Sequence, residues 1–194
     1  MNISSLPRLA LLIIVAQAAG LALTLETHAQ EATKVELAGG KLILQAPATW
    51  KKIQPKSTIL QYEFIAPADA KTDDPSARIT ISQAGGSIDA NIDRWYGQFE
   101  QPDGKSTKEK SKTEKFDAAG QTVHWVDIPG TFKETMGGPF AGGKTVLRED
   151  YRMLGAIIVT KDQQQIFIKI TGPTDLVEKL SADFKKSLQA LEAK

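Results

Sequence analysis

Apolar and polar positions alternate with the period of a β-strand over most of this chain and adopt helical spacing in only two stretches. Val35–Leu37 and Lys41–Ala46 alternate on either side of Ala38-Gly39-Gly40. This predicts a hairpin with glycine in its turn, ended by Pro47 and Trp50. Leu60–Ala66 reads as a strand closed by Pro67, and the polar, acidic run Ala68–Pro75 as a loop. Ala77–Gln83 puts Ile79 and Ile81 on one face before Gly85-Gly86 breaks the pattern. Ser87 then has the chemistry of a helix N-cap, with Asp89 favourably placed in the first turn. Ile88, Ile92, Trp95 and Phe99 follow at helical spacing, which predicts one buried stripe reaching towards Pro102-Asp103-Gly104.

Gly104–Lys115 carries five lysines against Glu109 and Glu114, has no apolar residue, and reads as a soluble hairpin loop. Alternation resumes with strands at Phe116–Ala118, Gln121–Ile128 and Gly130–Lys133, the last two separated by a break at Pro129-Gly130. Tyr151–Thr160 and Gln165–Thr171 are further strands. Leu154, Ala156, Ile157, Ile158 and Val159 make both faces of the first of them apolar, as in a sheet covered on both sides. Gly172-Pro173-Thr174 opens the last helix, with proline in its first turn, and Leu176, Val177, Leu180, Phe184, Leu188 and Leu191 form its buried stripe. Antiparallel hairpins with two helices far apart in sequence give an α+β fold, an antiparallel β-sheet flanked by helices.

This arrangement resembles the PsbP/Mog-like fold, shared by the photosystem accessory protein PsbP and the Ran-binding import factor Mog. The resemblance is carried by Pro47-Ala48-Thr49-Trp50, Phe64-Ile65-Ala66-Pro67, the strand Arg78–Ser82, the late strand Phe167–Thr171, and the following helix with Phe184 and Ser187-Leu188. It spans residues 34–190 and implies an α/β/α sandwich and an accessory or binding module rather than an enzyme. It carries over no catalytic residue. Neither the manganese-cluster role of PsbP nor the Ran-binding role of Mog transfers to this chain.

The N-terminus adds an address. Arg8 precedes an apolar run, Leu9–Leu23, interrupted only by Gln17 and Gly20, and Thr27-His28-Ala29 follows. A charged start, an apolar middle and a small-residue cleavage site are the parts of a secretory signal peptide. The run is shorter than the ~20 residues that cross a bilayer core. Residues 1–29 therefore read as signal peptide and 30–194 as a single exported α+β domain, periplasmic or secreted, with membrane contact only if the segment is retained as an anchor. No cysteine follows the apolar run, which excludes a lipidated cysteine there.

Composition narrows the chemistry. The chain has 194 residues, no cysteine, two histidines and a formal net charge of +1. Disulfides and cysteine-ligated metals are excluded, and the charge argues against a dedicated nucleic-acid binder. No metal site and no cofactor are indicated. Asp69, Asp73 and Asp74 lack the glycine and closing glutamate of a calcium loop. His124 and Asp127 fall on opposite faces of a strand and cannot pair locally.

Gly138–Thr145 satisfies the spacing of a phosphate-binding P-loop. Pro139, however, has no N–H to donate, and the sequence after Thr145 soon becomes β-like, so no nucleotide is expected there. A contact loop fits better, with Phe140, Lys144 and Arg148 as candidate binding residues. The reading at this point is an exported, non-enzymatic accessory module that binds an unidentified protein or small ligand of the cell envelope. The alternatives are an extracytoplasmic enzyme built from Asp, Glu, Lys and Tyr, and a membrane-anchored structural protein of the envelope.

Overall fold

The first hairpin forms where the alternation places it. β1 (Thr33–Leu37) and β2 (Leu42–Ala46) pair antiparallel through a short 3-10 turn at Ala38–Gly40, where Gly39 and Gly40 hold φ of 65° and 86°. The computed structural model describes residues 32–136 and 143–194. The segment expected to be a signal peptide and the candidate contact residue Phe140 lie outside the described residues.

β4 (Leu60–Ala66), β5 (Ala77–Gln83) and α1 (Ile88–Tyr96) also sit where the sequence predicts them. The Ser87 hydroxyl accepts a hydrogen bond of 3.2 Å from the Ala90 N–H, as an N-cap should. Other elements differ from expectation. A short strand β3 (Lys51–Ile53) pairs with β4, although Lys51 and Lys52 are exposed and only Ile53 is apolar. α1 stops at Tyr96, capped by Gly97, so Phe99 is not helical. It lies in β6 (Phe99–Glu100), and the chain reversal still returns its ring to the cluster around Trp95.

The lysine-rich segment is not a plain loop: it holds one helical turn, α2 (Thr107–Lys110), and the start of β7 (Lys112–Ala118). Cross-strand pairing, Lys112 with Asp127 through Lys115 with His124, supplies what apolar residues do not. β8 (Gln121–Met136) runs through Pro129-Gly130 as one strand with an irregularity between Gly130 and Phe132. Gly130 has φ 137°, and a side chain there would stand 2.5 Å from the Gln101 amide, so glycine lets the segment after α1 cross the strand closely. β9 (Lys144–Val159) is longer than the apolar pattern suggests, and Pro173 ends β10 (Gln165–Pro173) as the N-cap of α3 (Thr174–Gln189).

These strands form an antiparallel sheet in the order β3-β4-β5-β10-β9-β8-β6, with β7 also on β8. One face carries Phe64, Ile79, Ile81, Leu154, Ile158 and Ile168, and is covered by α3. A second sheet, β1-β2 with β11 (Glu192–Ala193), covers it too. Phe184 of α3 centres this core, its ring 5.7 Å from Trp50 and 5.1 Å from Trp125. The opposite face is covered by α1, over a smaller cluster of Trp95, Phe99, Ile128, Met153, Ile157 and Phe167. No helix among the described residues is long and apolar enough to cross a membrane.

Candidate functional site

α1 is too short to roof its whole face. Its position is set by Trp95, which lies directly on the backbone of β9: a Cβ at Gly155 would fall 2.4 Å from the ring. Phe167 meets the same ring edge-on, 5.9 Å between centroids. The sheet is therefore covered around β8, β9 and part of β10, while the flank towards β5 stays open.

On that flank, register puts Thr80 beside Lys169 and Arg78 beside Thr171. These four, with Ser76 and Tyr151, line a cavity of about 430 Å³. Gln98 and the strand segment Phe132–Thr135 close it on the α1 side, where the Lys133 N–H donates to the Gln98 carbonyl at 2.8 Å. Phe132 and Tyr151 stack with their rings 7° from parallel.

Lys169 is the unusual member. It is half-buried in the middle of an inner strand, next to Gly155, with its ammonium 6.0 Å from the centre of the Trp95 ring. Among the described residues no carboxylate lies within ion-pairing distance of it. Burial, and then the positive charges of Arg78 and Arg94, push its pKa down to about 8.

The carboxylates in and next to the cavity, Glu134 in its lining and Glu63 behind Arg78, are already engaged. The fully buried Glu63 accepts from the Arg78 Nε–H and from the Lys56 N–H, each at 2.7 Å. Glu134 is bound to Arg148 at 2.9 Å. Burial alone would raise the Glu63 carboxyl, but the Arg78 and Lys56 hydrogen bonds and nearby positive charge outweigh it and hold the group below its ordinary value. A depressed carboxyl contributes stability above the ordinary carboxylate range and loses it as pH falls through the native pKa. Glu63→Gln should therefore cost about 2 kcal/mol at neutral pH, for hydrogen bonds to a charged group. The gap to wild type should narrow towards about pH 3, as urea unfolding at both pH values would show. A pH-independent gap would contradict this.

A second cavity, about 410 Å³, lies on the other flank of α1, lined by Asp89, Asp93, Tyr96, Lys115 and His124 among others. Its charges are of both signs, and Asp93 faces Lys108 at 3.8 Å. Burial first, then Lys115, keeps the His124 pKa below its usual value, against the pull of Asp89. As strand alternation predicts, His124 and Asp127 point to opposite faces; Asp127 is held by Arg152 at 2.7 and 2.8 Å. Among the described residues no group of three potential metal ligands forms.

No family model matches this sequence, and no curated protein matches it. Among solved structures, cyanobacterial PsbP (CyanoP) from Synechocystis sp. PCC 6803 superposes with a TM-score of 0.50 at 10% identity, over 93% of this chain and 99% of its own. The chain has the PsbP fold. LpqN of Mycobacterium tuberculosis, described as involved in cell envelope biogenesis, aligns with a TM-score of 0.44 at 11% identity, over 84% of this chain and 90% of its own.

Of the residues singled out from sequence, Lys144 and Arg148 fall outside the lining of this cavity. Lys144 and Arg148 belong to β9, not to a loop, and Lys144 and Thr145 pair with Met136 and Thr135. A strand therefore follows the P-loop-like string where a phosphate cradle needs a helix N-terminus. Arg148 reaches the rim of the cavity through Glu134, while Lys144 is exposed on the outer part of the hairpin. Sequence reasoning missed Lys169. Its signal is a lysine on the same face as Phe167 and Thr171, in the strand that follows the one expected to be apolar on both faces.

Proposed function

We propose that this protein works outside the cytoplasm as a non-catalytic accessory module, binding a small ligand in the open flank of its sheet beside α1. The observation that carries this reading is Lys169, a cation with no ion-pair partner among the described residues, half-buried in the floor of a preformed cavity. Buried charges ordinarily have partners, so a partner supplied from outside is the economical explanation. The signal-like order of residues 1–29 supports export.

Two features favour holding over turnover. Glu63, the fully buried carboxylate behind the cavity residue Arg78, is held ionised by that arginine rather than raised into the range of a proton donor. His124 opens onto the cavity on the other side of α1 and shares no face with Asp127. Cleavage is expected near Ala29, with exported protein beginning at Gln30; intact Met1 in carbonate-washed membranes would contradict it.

Native mass spectrometry of mature protein incubated with an extract of its own envelope tests the binding reading. Retention of a small species, released with unchanged mass, is the expected result. Release of a chemically altered species, or no retained species, would contradict it.

A further inference from the structure

We infer that the cavity beside α1 is built for a hydroxylated oxyanion, a small molecule or headgroup carrying a phosphate or carboxylate next to hydroxyl groups. The inference rests on the binding reading above and specifies its ligand. Three observations converge on this chemistry.

The first is charge. Lys169 faces the cavity with no carboxylate partner among the described residues, and Arg78 spends only its Nε–H on Glu63. The guanidinium has four further N–H groups, and its side chain is 49% exposed. Both nearby carboxylates, Glu63 and Glu134, are bound to arginines, so the uncompensated charge of the floor is positive.

The second is donor content. The hydroxyl-bearing Ser76, Thr80, Thr171 and Tyr151 line the same cavity as the two cations, and neutral O–H donors beside a cation suit an oxygen anion with several lone pairs.

The third is an orphan. The Gln98 Oε1 is buried and has no hydrogen-bond partner. Placed at the edge of a cationic floor, it asks for a donor from the ligand. A bare anion has none to give, whereas a hydroxyl on the carbon next to the anion does. The Phe132–Tyr151 pair supplies a flat wall for the carbon skeleton.

Calorimetric titration of the mature protein tests this with glycerol 3-phosphate, gluconate and inorganic phosphate, beside flotation with phosphatidylglycerol vesicles. Saturable binding of glycerol 3-phosphate or gluconate, tighter than phosphate, is expected. Lys169→Met should weaken it by about ten-fold or more, the worth of a charge-assisted hydrogen bond. The same variant should keep or raise the thermal midpoint, because Met fills similar volume and strands no partner. Lys169→Arg, which retains the charge, should bind better than Lys169→Met. Vesicle flotation lost in Lys169→Met, without soluble binding, would assign the same chemistry to a lipid headgroup. Absence of binding to all four probes, or binding indifferent to Lys169→Met, would overturn the inference. An uncharged species retained from the envelope extract would overturn it too, yet leave the binding reading standing.

Discussion

Trp95→Ala should destabilise the protein by about 3–5 kcal/mol, the usual cost of truncating a buried aromatic. The ring is 5% exposed, stands edge-on to Phe167 and rests on the bare backbone of Gly155. Its removal opens a void between α1 and the sheet that neither can close alone. The contact also makes a sharper statement. Gly155→Ala places a methyl group where the Trp95 ring is, so it should cost about 1–3 kcal/mol by overpacking. In the Trp95→Ala background the same methyl group enters vacated space, and Gly155→Ala should then be close to neutral. Denaturant unfolding of the two single variants and the double variant gives the coupling directly. Additive losses would mean that α1 does not sit on Gly155 as described.

Phe184→Ala should lose a similar amount, about 3–5 kcal/mol, on the opposite face. Phe184 is fully buried and packs against Trp50 and Trp125, thereby joining α3 to β8 and to the segment between β2 and β3. Large neighbouring rings cannot collapse into the space it leaves, so the cavity term stays high. Denaturant unfolding should show a lower midpoint with an unchanged slope. A loss below about 1 kcal/mol would place Phe184 outside the centre of this core.

The two faces were not equally legible in the sequence. Strands with clean alternation, such as Leu60–Ala66 and Ala77–Gln83, were readable to the residue, because one buried face fixes their register. Ser87 announced α1 through its cap, and the stripe from Val177 to Leu188 announced α3. Elements held by pairing alone were not readable. β3 and the start of β7 are rich in lysine and exist because a neighbouring strand offers a ladder. Phe99 kept helical spacing while leaving the helix, since a tight reversal after Gly97 can return a ring to the same cluster.

The cavity proposed as the binding site was hidden for a related reason. Lys169 looks like any polar position in an alternating strand until the sheet order places β5 on one side of it and Gly155 under Trp95 on the other. Nothing local to Gln165–Thr171 reveals that α1 ends its cover there. The glycine-rich string at 138–145 drew attention through its pattern, yet its last two residues join a strand.

The central claim is that ligand is held on the open flank of the sheet, between β5, β10 and α1. It is most directly tested by NMR of isotope-labelled mature protein during addition of the species recovered from its envelope. Shifts concentrated at Arg78, Thr80, Gln98, Tyr151, Lys169 and Thr171 are the result this account predicts. Shifts confined to Lys144–Asp150 on the outer hairpin, or to the cavity around His124, would contradict it.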